Sequence, residues 1–252
     1  MEANEVLRQL SERKSVRAFA PREIPESAVR AILAAASNAP TAGNQQLYTI
    51  LRITDPALKT ALSESCDHQP FIAKAPLVLV FCADCKKWYD AYRAVSCDAR
   101  RPGVGDLLLA VDDALIAAQN AVTAAWSLGV GSCFIGDVME NMETQRSLLH
   151  LPEYVFPAAM LVFGYPTAQQ QNRPKPPRAA LEYLVQENTY APLRDDALRR
   201  MLLKNCTEET YESWLRAFHA RKYDSNFARE MTRSVAAFLR QYERGDEHAD
   251  PV

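Results

Sequence analysis

The chain has 252 residues, 48% hydrophobic and 24% charged, with a formal net charge of −2. That is enough apolar material for a substantial core, and the near-neutral balance supplies no basic field for nucleic acid, so any anionic ligand is expected to be small. The opening MEANEVLRQLSERK carries no signal-like apolar stretch and the apolar run Ala75–Ala83 is too short to span a bilayer, so the expectation is a soluble, cytoplasmic protein with no membrane partner.

Val6, Leu7 and Leu10 recur at helical spacing and predict a first helix. It runs into SERKSVRAFA (11–20), which gathers Arg13, Lys14 and Arg17 around Ser15. Clustered cations persist where they face an anion or reach fully into water, and at a helix end they also complement the dipole. The residues alone leave both readings open. Pro25 followed by Val29, Ile32, Leu33 and Ala36 predicts a second helix with proline at its start. NAPTAGNQQ (38–46) then makes a turn, Leu47–Ile53 a strand, and Asp55-Pro56 opens a short helix. PLVLVFC (76–82) is a continuous apolar run, typical of a strand covered on both faces.

From Asp106 to Leu128 apolar residues spread most of the way round a long helix, which predicts burial on nearly every side; its alanines suit either a central core position or a subunit interface. Gly129 and Gly131 end it, SCFIG (132–136) reads as a short strand, and VFPAAMLVFGYP (155–166) as the last strand of the core. Helices and strands alternate without regular βαβ spacing, which gives an α+β sandwich. Pro166, Pro174, Pro176 and Pro177 predict an extended, non-helical tether over 165–178. Three amphipathic segments follow Pro192, the last with Phe227, Met231, Val235, Phe238 and Tyr242 at helical spacing, before the charged tail 243–252. The expected division is a main domain over residues 1–192 and a helical extension over 193–252.

The common catalytic constellations are missing. None of the four histidines (His68, His150, His219, His248) lies in an HExxH spacing, and there is no GxSxG elbow or GxxxxGK[ST] loop. Gly103-Val104-Gly105 and Gly129-Val130-Gly131 lack the third glycine of a dinucleotide fingerprint. Cys82 and Cys85 have CxxC spacing, but no second pair completes a zinc shell, so reduced thiols and no metal are expected.

What remains is polar groups on loops of an apolar scaffold, and their order resembles the nitroreductase-like FMN flavoproteins. RKSVRAF (13–19) is similar to that family's RxSxR opening, NAPTAGNQQLY (38–48) to its APSxxNxQPW loop, and HQPFIAKAPLVLVFCAD (68–84) to the segment leading into its central strand. DALIAAQNAVTAAWSLGVGSCFIGD (113–137) resembles the central helix and glycine turn, and PKPPRAALEYLVQENTY (174–190) the tail of the larger, NADPH-using branch.

The resemblance implies a three-layer sandwich with a mixed, mainly antiparallel sheet, and a homodimer holding FMN at the subunit interface. By that likeness Arg13 and Arg178 clamp the flavin phosphate with Ser15 and Lys14 nearby, and Arg17 sits by the ring's N1–O2 edge. Thr41 and Asn44 line the flavin of the other subunit, and Gln69 reaches the ribityl chain or ring. Phe134, Ile135 and Gly136 run beside N5. No side chain is assigned a catalytic role, because hydride passes from NADPH or NADH to flavin N5 and then to a small planar acceptor such as a nitroaromatic or quinone. A flavin-binding protein with incidental turnover, or another reductase or dehalogenase on the same fold, are the alternatives. Trp88, Tyr89 and Tyr92 can stack on a planar ligand or simply pack. Two departures from the family pattern are Asp137, where a second glycine is frequent, and Lys175, displaced one place by an extra proline.

Overall fold

A computed structural model describes residues 4–243. Helix α1 (Glu5–Glu12) is capped by Asn4, whose Oδ1 accepts from Leu7 N–H at 3.0 Å. Helix α2 (Glu26–Ser37) starts directly after Pro25, whose fixed φ suits a helix start. A 3-10 turn (Ala42–Asn44) leads to β1 (Tyr48–Ile53), and Asp55 caps α3 (Pro56–Ser65) by accepting from Ala57 N–H at 2.9 Å. Then come α4 (Pro70–Ala73), β2 (Leu77–Asp84), α5 (Lys86–Ala94), α6 (Val104–Ser127), β3 (Gly131–Ile135), α7 (Met142–Leu148) and β4 (Val155–Gly164). The remaining helices are α8 (Ala168–Asn172), α9 (Asp195–Leu202), α10 (Tyr211–Lys222) and α11 (Asn226–Leu239).

The strands form one sheet in the order β1-β2-β4-β3, each neighbouring pair antiparallel. The two central strands, β2 and β4, are buried along their whole length, which their unbroken apolar sequences foreshadow. Side-chain alternation on β2 supplies both faces. Leu77, Leu79 and Phe81 pack with α2 and α6, whereas Val78, Val80 and Cys82 pack with Leu62 of α3 and Ile72 of α4. Three layers result: helices, sheet, helices.

The expectation for the long helix is corrected. Ala110, Ala114, Ala117, Ala118 and Ala121 of α6 are fully buried, but Leu108, Leu109, Leu115 and Ile116 form a stripe on the opposite side that is 38–60% exposed. Small residues let one face approach the sheet closely, and the large side chains collect on the other. By length and composition α6 is apolar enough to cross a membrane, yet its alanine face is committed to the core.

The tether is corrected too. Helix α8 lies inside the span expected to be extended, because the prolines leave residues 167–173 free of them; Thr167 caps the turn by accepting from Gln170 N–H at 3.4 Å.

The chain divides into two compact units, residues 174–229 and the remainder. Residues 230–243 belong to the larger, first unit with residues 4–173, and residues 174–229 make up the second. Ser234 Oγ donates to Met139 O at 2.6 Å, and Gln241 Oε1 accepts from Tyr154 N–H at 2.8 Å and from Arg146 at 3.0 Å. Phe238 and Tyr242 are buried in the core, at the helical spacing read from the sequence. The charged tail beyond residue 243 lies outside the described residues.

Candidate cofactor site

The segment 13–17 is laid along β3, an edge strand. Val16 N–H donates to Ser132 O at 2.9 Å, and Ser15 bridges Ser132 in parallel. Val16 fills the space over Gly131 so tightly that a Cβ there would stand 2.6 Å from Val16 Cγ2; only glycine permits this approach. In this register the Arg13 and Arg17 charges and the Ser15 hydroxyl bear on the Cys133 thiol. Burial pushes the Cys133 thiol up, while the Arg17 charge, hydrogen bonding from Ser15 and Arg17, and the Arg13 charge pull it back. Just beyond Cys133, Phe134 is 39% exposed and Ile135 is buried. At Gly136 the nearest atom to a Cβ would be Met139 Cε at 4.0 Å, so its backbone is open to a close neighbour.

Lys14 has a different engagement. Its Nζ donates to Gln171 O at 2.5 Å and to Arg173 O, carbonyls at the end of α8. A cation there complements the helix C-terminus. Arg17 N–H donates to Gln170 Oε1 at 3.2 Å, so α8 steadies the same segment from a second side.

The loop carrying Thr41 and Asn44 is held from several elements. Asp113 of α6 accepts from Ala42 N–H at 2.9 Å through Oδ1 and from Leu47 N–H at 3.0 Å through Oδ2. Thr41 Oγ1 accepts from Gln46 N–H at 3.2 Å, and Trp88 Nε1 donates to Gln45 O at 2.7 Å. Asp113 escaped the sequence reading, although its signal was present: a carboxylate at helical spacing with Ala110, Ala114 and Ala117.

Trp88 and Tyr92 pair at 5.8 Å between ring centroids, and Tyr89 packs edge-on against Tyr154. With Gln45, Leu47 and Cys85, the Trp88, Tyr89 and Tyr92 rings line an open cavity of about 250 Å³.

Gln69 lies at the start of α4. Its side-chain Nε2 donates to Cys66 O at 2.9 Å, and its carbonyl accepts from Ser63 Oγ at 2.7 Å. Asp137 bears on Cys66 and on Glu140. Glu140, 5% exposed, is a second residue the sequence reading missed; burial first, then Asp137, Asp67 and Glu230, raise its carboxyl to about 7. Arg178 is exposed and stands in the second unit, after the Pro174–Pro177 run. Cys82 and Cys85 are free thiols that burial pushes up to about 12, and no metal-binding cluster occurs among the described residues.

A family model described as Nitroreductase family matches residues 10–165, well over half of the chain. The chain belongs to the nitroreductase family. Among its relatives is the oxygen-insensitive NADPH nitroreductase of Salmonella typhimurium, 36% identical over 187 residues that cover 74% of this chain and 75% of that protein. The FMN reductase [NAD(P)H] of Bacillus subtilis is 30% identical over 244 residues, 96% and 92% of the respective chains. The solved structure of B. megaterium NfrA2 superposes with a TM-score of 0.83 at 26% identity, covering 96% of this chain and 98% of that one. The segment matched to the nitroreductase family contains every expected site residue except Arg178.

Proposed function

We propose that this nitroreductase-family chain is an FMN-dependent oxidoreductase that takes hydride from NADPH or NADH and passes it to a small planar, electron-poor acceptor, a nitroaromatic or a quinone. The names of two of its relatives, an NADPH nitroreductase and an FMN reductase [NAD(P)H], support the flavin and nicotinamide chemistry. The observation that carries the reading to particular residues is the lay of segment 13–17 along β3, the strand that leads into the open backbone of Gly136.

The donor set fits FMN. Guanidinium groups and a hydroxyl on one extended segment suit a phosphate and an electron-rich ring edge, and a glycine with free space above it suits a flat ring lying close to the backbone. Arg13 and Ser15 are proposed to hold the phosphate, and the family resemblance extends the same role to Arg178. Arg17 is proposed to stabilise negative charge at the ring's pyrimidine edge. Lys14, through its bonds to the carbonyls at the end of α8, positions this segment. Thr41 and Asn44 are proposed to line the ring, and Gln69 to reach the ribityl chain or ring. FMN, when bound, supplies the atom that accepts and donates hydride, so the chain needs no side-chain acid, base or metal for that step.

The active form is proposed to be a homodimer. The exposed stripe Leu108, Leu109, Leu115 and Ile116 on α6 and the exposed Val6, Leu7 and Leu10 on α1 are apolar surface that a second copy would cover. The test is to purify the protein, record its visible spectrum, and measure NADPH and NADH oxidation while varying menadione or a nitroaromatic. A flavin spectrum with parallel double-reciprocal lines is expected, as a ping-pong cycle requires. A flavin spectrum without nicotinamide oxidation would leave a flavin-binding protein.

A further inference from the structure

The loop between α2 and β1 holds a conformation that its residues do not favour. Asn44 and Gln46 adopt φ of 57° and 51°, in the left-handed region, next to Gly43 at 57°. Non-glycine residues persist there only where their surroundings over-determine them. The surroundings are specific. Asp113, 2% exposed within the core, gives one oxygen to the Ala42 N–H that opens the loop and the other to the Leu47 N–H that closes it. A buried carboxylate is costly unless its oxygens are bonded, and the neighbouring inward positions of α6 are alanines. An apolar residue would serve the packing as well; the carboxylate serves the loop.

We propose that Asp113 is a positioning residue for the cofactor: it clamps both ends of 42–47 and so fixes Thr41 and Asn44 in the arrangement that receives FMN. This rests on the reading above that Thr41 and Asn44 line the flavin. Asp113→Asn keeps the side chain's size, but turns an amide NH₂ toward one of the two backbone donors and frees that end of the loop. Trp88→Phe loosens the same loop from outside, at the Gln45 carbonyl.

The experiment titrates FMN into the full-length apo forms of the wild type, Asn44→Ala, Asp113→Asn, Asp113→Asn/Asn44→Ala and Trp88→Phe, with amide exchange on each. Asp113→Asn is expected to raise the FMN dissociation constant about tenfold or more, the change expected from losing a hydrogen bond to a charged group. The double variant should bind no worse than the weaker single one, because both act through one loop. Faster exchange should be confined to 42–47, with the sheet protected as in the wild type; a merely structural role would loosen the sheet as well. Trp88→Phe should shift affinity in the same direction.

Wild-type affinity in Asp113→Asn, or additive losses in the double variant, would overturn the proposal while a loss in Asn44→Ala keeps the loop–flavin reading standing. Wild-type affinity in Asn44→Ala would overturn that reading and the proposal with it. Should the Asp113 variant fail to fold, the wild type itself decides. Slow exchange at the Ala42 and Leu47 amides is expected from the clamp, and rapid exchange at both would overturn it.

Discussion

Replacing Gly131 by alanine puts the contact between the opening segment and β3 under direct strain. The added Cβ would lie 2.6 Å from Val16 Cγ2 and 2.8 Å from Val16 Cβ. Val16 is 1% exposed and β-branched, so it has neither space nor a free rotamer to yield. The backbone of 13–17 must retreat by about 0.8 Å to restore the 3.4 Å of ordinary contact. That would stretch the Val16 N–H to Ser132 O bond from 2.9 Å to about 3.7 Å, beyond hydrogen-bonding distance. Overpacking of this kind costs about 1–3 kcal/mol, which lowers Tm by roughly 2–10 °C in a chain of this size. Arg13, Ser15 and Arg17 move with Val16, so FMN affinity should fall about tenfold, the equivalent of one charge-assisted bond. Thermal denaturation of the apo protein and FMN titration by fluorescence quenching read the two effects. Val16→Ala in the Gly131→Ala background removes the Cγ contacts but leaves the Cβ contact, and should recover part of each loss. A Gly131→Ala protein with wild-type Tm and wild-type FMN affinity would refute the packing of this segment on β3.

Arg13→Ala and Arg178→Ala should each raise the FMN dissociation constant by about tenfold to a hundredfold and leave riboflavin binding nearly unchanged, as parallel titrations would reveal. Leu108→Asp combined with Ile116→Asp, on the exposed stripe of α6, should give a monomer in light scattering and reduce flavin content, since interfaces of obligate dimers commonly bury more than roughly 2,000 Å². Glu140 gives a pH dependence of defined sign. The folded chain keeps its proton up to about pH 7, whereas the ordinary value is 4.5, so this carboxyl costs stability progressively as pH climbs between those values and by a constant amount above them. Glu140→Gln should therefore stabilise the protein by about 1–3 kcal/mol above pH 7 and make little difference below pH 4.5, as read by urea denaturation at the two extremes.

The layered core was legible because burial on both faces leaves unbroken apolar runs, as in β2 and β4, and because proline and aspartate mark where α2 and α3 begin. The RKSVRAF and NAPTAGNQQLY stretches could be singled out because cations and turn residues interrupt apolar periodicity. Other features depend on tertiary partners and leave little local trace. The division of α6 into an alanine face and a leucine-rich face is written in its periodicity, but which face meets the sheet follows from how closely alanines let two elements approach. Lys14 and Arg17 look alike in sequence; the carbonyls at the end of α8 separate them, and α8 itself was hidden by the prolines around it. Asp113 takes its role from backbone amides 66 and 71 residues away, and the Glu140 carboxyl is raised by burial, by the nearby Asp137 and by Asp67 and Glu230 brought in from distant parts of the chain.

The central claim is that flavin held by this chain takes hydride from a nicotinamide and gives it up to a planar acceptor. Anaerobic mixing of the flavin-loaded protein with NADPH, and separately with NADH, tests it most directly. The account predicts that the visible flavin absorbance bleaches with at least one of the two and returns on addition of menadione. Flavin absorbance that stays unchanged with both nucleotides would contradict it.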